Sequence, residues 1–202
     1  MAKFIRLKMK QFKKNVFSQN GEDGVIEEIF HRLNINSGYL VEFGVFDGVH
    51  LSNTCNLYRT GNYDSLQIEI DYNNYLKLKE NISPYPKVIA IHRAVSEDSE
   101  SPNSLDNILK EVKAPYDPDL ISIDVDGTDY EIWKSLKNYR PKVIIIETNA
   151  TFGTDKFHIS SDQGTSPASM VQLGNEKGYK LVACTGPGNL FFVDENIFIN
   201  LM

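Results

Sequence analysis

The sequence predicts one α/β domain with a mostly parallel seven-stranded sheet, helices on both faces and an antiparallel hairpin at its C-terminal end. Short runs of β-branched and aromatic residues alternate with helically periodic segments along the chain. This alternation is typical of parallel strands joined by crossover helices. The last two strand-like runs are separated only by residues 185–189, too short a connection for a crossover, which predicts the hairpin. A length of 202 residues suits a single domain.

The first half of the chain is expected to contain three strand–helix units. A polar turn over residues 18–22 precedes a helix over residues 23–33, where Val25, Ile26 and Ile29 begin an apolar stripe at helical spacing. Ser52 can cap the next helix, and Gly61 can end it. The expected strands are 39–43, 65–70 and 88–94, and the helices that follow them are 52–60, 72–82 and 104–112.

The second half is expected to complete the sheet. The runs 120–123 and 143–146 are short and apolar, as buried central strands of a parallel sheet are. Residues 151–167 form a long polar loop, and loops of that length in a compact domain are usually functional or disordered. The remaining helices are expected at 129–136 and 168–177, and the hairpin strands at 179–184 and 190–193.

Charge and composition exclude several classes of protein. The first 14 residues carry six basic and no acidic side chains, so the rest of the chain is more acidic than the net charge of −6. An acidic body argues against a nucleic-acid partner, because phosphates need a basic surface. No apolar run is long enough for a transmembrane helix, and the N-terminus lacks the apolar core of a secretory signal. We expect residues 1–16 to form a basic arm or helix and residues 17–202 the folded domain.

The two cysteines indicate a reducing compartment. Cys55 and Cys184 are far apart and belong to no CxxC or Cys/His pattern, which argues against a disulfide scaffold or a structural zinc site. We therefore expect two buried, reduced thiols in a cytoplasmic protein.

A glycine-bearing loop follows the first expected strand and is the first candidate binding element. Glu42 precedes Gly44 and Gly48 in the sequence VEFGVFDG. Glycine allows the backbone to approach a ligand closely, and free N–H groups of the next helix can bind an anion. The spacing G-x-x-x-G does not fit the G-x-G-x-x-G of dinucleotide-binding folds and suits a smaller anion, such as the carboxylate of a methionine moiety. Glu42 would accept from a ligand ammonium group; the alternative is that the glycines serve only a tight turn.

An acidic residue closes the second expected strand. Glu69 lies 21 residues after Gly48, and an acid about 20 residues beyond a glycine loop, at a strand's carboxyl end, can bind both ribose hydroxyls. Asp71 is the competing candidate. Together, the acid and the glycine loop indicate a nucleoside-containing cofactor more specifically than either does alone.

Further acids follow the fourth and fifth expected strands. Asp124 and Asp126 come after the fourth, and Glu147 and Asn149 after the fifth, so they can face one another at the carboxyl edge of the sheet. Oxygen ligands from Asp124, Glu147 and Asn149 can hold a hard cation such as Mg²⁺ or Mn²⁺. Without a metal, a carboxylate or His158 of the long loop would be the general base. The alternative is that Asp126 or Asp129 merely caps the next helix.

At these residues the chain resembles FkbM-like methyltransferases, and more closely an allied group of small proteins. The matching segments are SQNGEDGVI (18–26), VEFG (41–44), DG (47–48), SNT (52–54), IE (68–69), SLD (104–106), LISIDVDG (120–127), DY (129–130) and IE (146–147). Five strand–helix units with a terminal hairpin form the layout of a Rossmann-like class I methyltransferase, whereas a nicotinamide-binding Rossmann domain normally ends in another parallel crossover.

The resemblance implies transfer of a methyl group from S-adenosylmethionine to an oxygen, often on a sugar or a glycosylated product. It implies that Glu42, Gly44 and Glu69 bind the cofactor, that Val95 and Ser96 border its adenine, and that Gln19 and Asn20 close over its methionine end. The remaining cofactor candidates of the matched segments and their borders are Asp47, Gly48, Ser52, Asn53, Ile70 and Asp124.

The resemblance also extends to the metal and to the acids after the strands. Magnesium-dependent sugar O-methyltransferases carry an acid after each of strands four and five, and Asp124 or Asp126 with Glu147 is similar to that pair. Those enzymes usually have a second acid where this chain has Thr148, and FkbM relatives commonly have Glu where this chain has Asp126.

The sequence therefore predicts an O-methyltransferase that acts on a hydroxyl of a carbohydrate or glycan, with Asp124, Asp126 and His158 as candidate catalytic residues. The alternatives are a nicotinamide-dependent oxidoreductase and a non-catalytic cofactor-binding module. Two further expectations are a homodimer formed through an edge strand or the basic arm, and a place within a larger glycan-processing protein.

Overall fold

A computed structural model describes residues 9–186 and 188–202, and its seven-stranded sheet has the order β3-β2-β1-β4-β5-β7-β6. Strands β1 to β5 are parallel, and β7 runs antiparallel to both β5 and β6. This confirms the expected mostly parallel sheet with its C-terminal antiparallel pair. The strands are β1 (Gly38–Phe43), β2 (Tyr63–Glu69), β3 (Val88–His92), β4 (Leu120–Ile123), β5 (Val143–Ile146), β6 (Tyr179–Thr185) and β7 (Asn189–Asp194).

The helices connect the strands close to the expected positions. They are α1 (Glu22–Leu33), α2 (Cys55–Tyr58), α3 (Tyr72–Ile82), α4 (Leu105–Glu111), α5 (Asp129–Ser135) and α6 (Pro167–Glu176), with short 3₁₀ helices at Met9–Phe12, Ala150–Phe152 and Phe198–Leu201. Helix α2 is much shorter than expected and begins only at Cys55; the Ser52 hydroxyl accepts from the amide of Cys55 and donates to Glu42. Within the described residues, no helix is long and apolar enough to cross a membrane.

Two apolar clusters cover the two faces of the sheet. Helices α1 and α3 pack on one face, where Ile29 and Leu78 meet strand residues such as Leu40. Helices α4, α5 and α6 pack on the other face. Trp133 of α5 belongs to the same cluster there as Val41, the residue after Leu40 in β1. Successive strand residues point to opposite faces, so each strand supplies both clusters. Strands β4 and β5 are buried along their whole length, as their apolar sequences predict.

The strand register brings several chain segments to one edge. Phe43 pairs with Ile123, and Ile123 pairs with Ile146, so β1, β4 and β5 end at the same level. Gly44 then lies directly against the backbone that follows β4, with a φ of 74°. A Cβ at position 44 would collide with the carbonyl oxygen of Asp124. Glycine is needed at position 44 because two protein segments approach each other closely there, whereas the sequence predicted a close approach of a ligand.

The expectations for the two cysteines and for the basic N-terminal segment have different outcomes. Cys55 is buried, but Cys184 is exposed because it lies in the edge strand β6, so the expectation of two buried thiols is wrong for Cys184. Residues 1–8 of the expected basic arm lie outside the described residues. From residue 9 onward the segment packs onto the domain: Met9 is buried, and the amide of Gly24 donates to the carbonyl of Lys14.

Candidate functional site

A cavity of about 550 Å³ runs along the carboxyl edge of the parallel strands. Its volume is typical of sites for small molecules and cofactors. Of the predicted site residues, those lining it are Gln19, Glu42, Gly44, Ser52, Asn53, Glu69, Ile70, Asp124, Asp126 and Glu147, together with Val95. The antiparallel strand β7 begins at this same edge, which brings Asn189 into the wall. The sheet therefore collects the candidate residues of five strand ends around one crevice.

Glu69 is the acid of the second strand that faces the cavity. Its carboxylate accepts hydrogen bonds from the amides of Phe46 (2.8 Å) and Asp71 (2.7 Å), so it ties the loop after β1 to the end of β2. Its side chain is buried and lines the cavity. The competing candidate, Asp71, accepts from the amide of Asn74 and caps helix α3. Since each carboxylate oxygen has two lone pairs, Glu69 can still accept hydrogen bonds from a ligand.

Glu42 is held by the protein itself. Its carboxylate accepts from the hydroxyls of Ser52 (2.7 Å) and Thr54 (2.6 Å) and from the amide of Asn53 (2.7 Å). Burial raises the pKa of this carboxyl, and the hydrogen bonds partly oppose the rise. The residue lines the cavity, yet its oxygens already organise the segment from Ser52 to Thr54. The sequence pattern showed the acid and not these partners, because they lie beyond the glycine loop.

Three non-glycine residues with positive φ lie on the cavity wall. They are Phe46 (55°), Leu51 (63°) and Asp126 (56°). Residues other than glycine rarely adopt a positive φ, and such strained backbone positions concentrate at ligand sites. The ring of Phe46 is 43% exposed, and the ammonium of Lys77 lies 5.4 Å from its centroid. Nothing in the sequence indicated a positive φ at these positions, since the strain is set by the tertiary path of the loops.

An acidic cluster consisting of Asp124, Asp126 and Glu147 lies where the cavity passes the ends of β4 and β5. One carboxylate oxygen from each lies within 4.8 Å of the other two. Burial and the charge of Glu147 raise the pKa of Asp124 to about 8, and burial also raises the pKa of Glu147. Burial and the nearby like charge both favour the protonated form of Asp124. Three convergent carboxylates also match the ligand preference of Mg²⁺ or Mn²⁺.

Asp129 does not cap helix α5 as the alternative interpretation predicted, because the N-cap is Thr128 and no side chain caps the helix; Asp129 instead holds the turn before the helix. Its carboxylate accepts from the amides of Val125 (2.9 Å) and Gly127 (3.0 Å) and so fixes the turn that carries Asp126. Burial raises the pKa of Asp129, and these hydrogen bonds partly oppose the rise. Asp126 itself is exposed, so its carboxylate is free to contact a ligand.

The structure does not bring Asn149 or His158 into the acidic cluster. The Asn149 side-chain oxygen accepts from the amide and hydroxyl of Thr151, and its amide group donates to the carbonyl of Gln163. His158 stacks on Phe152 with 3.9 Å between ring centroids, and it lines neither the cavity nor the acidic cluster. Asp126 occupies the place in the ligand set that the sequence argument gave to Asn149. His158 belongs to the long loop and Asn149 lies just before it, and the path of this loop cannot be deduced from its polarity.

Other predicted cofactor residues lie behind the wall and shape it. Asp47 accepts from the amides of Val49 and His50, Gly48 packs against Leu78, and the hydroxyl of Ser96 accepts from the amide of Asp98. The side chain of Asn20 lies against Gly186. The wall also includes residues that the sequence analysis did not assign to a site: Phe46, Leu51, Asn74, Arg93, Thr128 and Asn189.

Comparisons with known proteins agree with this geometry. A family model described as "Methyltransferase FkbM domain" matches residues 92–181, which include the acidic cluster and the long loop. A comparison with curated protein sequences finds no match.

Solved structures share the fold at low sequence identity. They include the CurJ carbon methyltransferase (10% identity, TM-score 0.58, 92% of this chain and 57% of that chain) and the N-terminal domain of EvdMO1 with SAH bound (13%, 0.56, 88% and 80%). A third is a SAM-dependent methyltransferase from Aquifex aeolicus (12%, 0.52, 94% and 97%). The chain spans little more than half of the CurJ chain.

The family match and the sheet topology thus agree with each other. The predicted resemblance is confirmed over residues 92–181, and the predicted fold is confirmed over the described residues. Residues 92–181 thus match the FkbM methyltransferase domain model, and the chain carries them on a Rossmann-like fold that solved S-adenosylmethionine-dependent methyltransferases share.

Proposed function

We propose that this methyltransferase acts on a hydroxyl oxygen of a carbohydrate or glycan. The observation that carries the proposal is the acidic cluster of Asp124, Asp126 and Glu147 at the wall of the cofactor-sized cavity. A hydroxyl must lose its proton as its oxygen gains a methyl group, so a proton acceptor is needed beside the oxygen. A fold shared with a carbon methyltransferase does not by itself select the acceptor atom.

The cavity offers suitable groups for each part of S-adenosylmethionine, which supplies an electrophilic methyl group when bound. Glu69 would accept from the ribose hydroxyls, because it is the acid at the end of β2 that faces the cavity. Ile70 is 65% exposed at this wall and, with Val95, offers an apolar surface for adenine. The amide side chains of Gln19 and Asn189 line the wall and would meet the methionine end.

The carboxyl pair of Asp124 and Glu147 would receive the hydroxyl proton. Their raised pKa values make them better matched to a hydroxyl than ordinary exposed carboxylates. A divalent cation, Mg²⁺ or Mn²⁺, would be held by the three carboxylates of the acidic cluster, where it would lower the pKa of a bound hydroxyl. Positioning two reactants in one crevice supplies much of the expected acceleration.

The arrangement favours an enzyme over a non-catalytic cofactor-binding module. Burying like-charged carboxyls close together disfavours folding unless they are protonated, bound to a cation or used in a reaction. We place the enzyme in the cytoplasm; the free, exposed thiol of Cys184 supports a reducing compartment.

Transfer of a labelled methyl group from S-adenosylmethionine to small neutral glycosides tests the proposal. We expect transfer by the wild-type protein and none by Asp124→Asn, while Asp117→Asn, a change at an exposed acid outside the cavity, keeps full turnover. Full turnover by Asp124→Asn would refute its role as proton acceptor. Loss of turnover with EDTA and its return with Mg²⁺ or Mn²⁺ would support the cation, and indifference to both treatments would exclude it.

A further inference from the structure

A second cavity, which we call the loop cavity, lies on the far side of the acidic cluster. Its volume is about 380 Å³, and Asp126 and Glu147 line both it and the cofactor-sized cavity. Its other walls come from the end of β5 and from residues 162–165 of the long loop. The two cavities therefore meet at Glu147, one of the two carboxyls proposed to receive the proton, and the acceptor hydroxyl has to lie beside it.

The long loop forms a fixed wall of this cavity. The amide of Asn149 donates to the carbonyl of Thr165 (2.9 Å), and its side chain donates to the carbonyl of Gln163 (2.7 Å). The amide of Ser166 donates to the carbonyl of His158 (2.9 Å). The loop also crosses Gly127 so closely that a Cβ there would collide with the carbonyl oxygen of Ser161. These contacts set the wall in place before any ligand arrives.

One buried hydroxyl in this wall has no hydrogen-bond partner among the described residues. Thr165 is only 2% exposed and lines the loop cavity, yet its hydroxyl neither donates nor accepts within the structure described. An unpaired buried hydroxyl disfavours folding, so such groups usually bind a ligand or an ordered water. This observation is independent of the acidic cluster and indicates a polar ligand.

The charge of the lining restricts that ligand. Asp126, Asp129, Glu147 and Asp162 line the loop cavity, whereas none of its described lining residues is Lys or Arg. The remaining lining side chains are mostly small and polar, including Asn149, Thr148 and Gln163. A phosphate or carboxylate group would meet uncompensated negative charge here, whereas hydroxyls and amines would find acceptors.

We infer that the loop cavity binds the acceptor as a polyhydroxylated ring that carries no anionic group, with Thr165 hydrogen-bonded to a ring substituent. This inference rests on the proposed function and narrows it, since it excludes uronates and phosphorylated rings from the reacting position. Neutral sugars and amino sugars remain as the acceptor class.

Direct binding of three probes tests the inference without requiring turnover. Saturation-transfer NMR would be recorded with methyl glucoside, methyl glucosaminide and methyl glucuronide on protein saturated with S-adenosylhomocysteine in the presence of EDTA. We expect the first two to bind and the glucuronide to bind at least about tenfold more weakly. Thr165→Val should weaken glucoside binding about tenfold, whereas the matched Thr165→Ser should retain it. Both variants should fold, because valine removes only an unpaired hydroxyl.

Each contrary outcome can be interpreted. Three results would overturn the inference. The glucuronide binds as tightly as the glucoside or more tightly; neither the glucoside nor the glucosaminide binds; or Thr165→Val binds the glucoside as tightly as the wild-type protein does. Calorimetry with S-adenosylhomocysteine separates this failure from that of the proposed function. If S-adenosylhomocysteine binds and a methyl group is transferred to another acceptor, only the present inference is wrong. If glycosides bind as expected but no methyl group is transferred to them, the proposed function fails while the binding site stands.

Discussion

Carboxylate oxygens of Asp124 and Glu147 lie within 4.8 Å of each other at the ends of two adjacent parallel strands. The backbones of the two residues cannot separate, because each residue lies one position beyond a fully buried strand. The fold therefore holds together two acids that would separate if the chain were free. This arrangement makes stability depend on pH in a direction opposite to that of an ordinary salt-bridged acid.

Asp124→Asn should stabilise the metal-free protein, increasingly as the pH rises. The pKa of Asp124 is about 8 in the folded state and about 3.9 in an unfolded chain, so the folded state binds more protons between these values. Wild-type stability should therefore fall from about pH 4 to pH 8, and asparagine removes that loss. Thermal unfolding in EDTA should show an increase in Tm of about 3–6 °C at pH 8 and little at pH 4. A difference in Tm that does not vary with pH would contradict the raised pKa.

Glu69→Ala should weaken cofactor binding at least tenfold. The change removes the acid expected to bind the ribose and also frees the amides of Phe46 and Asp71. The loss of hydrogen bonds to a charged acceptor corresponds to about 1.5–3 kcal/mol. Calorimetry with S-adenosylhomocysteine measures it, with Glu80→Ala on the exposed side of α3 as the control. An unchanged affinity would remove Glu69 from the binding site.

Glu42→Gln should lower the free energy of unfolding even without a ligand. The carboxylate accepts from the hydroxyls of Ser52 and Thr54 and from two backbone amides, and a glutamine NH₂ group would face donors. We expect a loss of about 1–3 kcal/mol in urea unfolding, and a smaller loss for Ser52→Ala, which removes one donor. Unchanged unfolding together with weaker S-adenosylhomocysteine binding would show that Glu42 serves the cofactor alone.

Gly127→Ala should displace the long loop without affecting cofactor binding. The added methyl group would collide with the carbonyl of Ser161, and the loop must move because the turn is held by Asp129. Hydrogen exchange of residues 155–163 should rise, and turnover should fall about tenfold or more through misplacement of the acceptor. Gly61→Ala adds its methyl group in open space and should leave exchange in the loop unchanged. Wild-type exchange in the alanine variant at position 127 would refute the contact.

The fold was predictable from the sequence because its signals are local. The apolar runs that became β4 and β5, and the short connection before β7, are properties of neighbouring residues. The acids at strand ends were likewise placed correctly, since parallel strands share one carboxyl edge. The roles of Glu42 and Asn149 depend on partners 10 to 14 residues away, and pattern reasoning did not supply them. The position of His158 depends on the packing of Phe152 and α6, which no spacing rule describes.

The position of β7 between β5 and β6 has a consequence for how the molecule is completed during synthesis. Val143–Ile146 is paired on one side by β4, and its other side is covered only by Leu190–Val193. Until the ribosome has released residues 189–194, strand β5 remains an open sheet edge of four aliphatic residues that can pair with other nascent chains. Asn189 arrives with the same segment, so the crevice gains its last wall only when this hazard ends. Covering the exposed edge of β5 and completing the cavity wall thus both depend on the docking of β7.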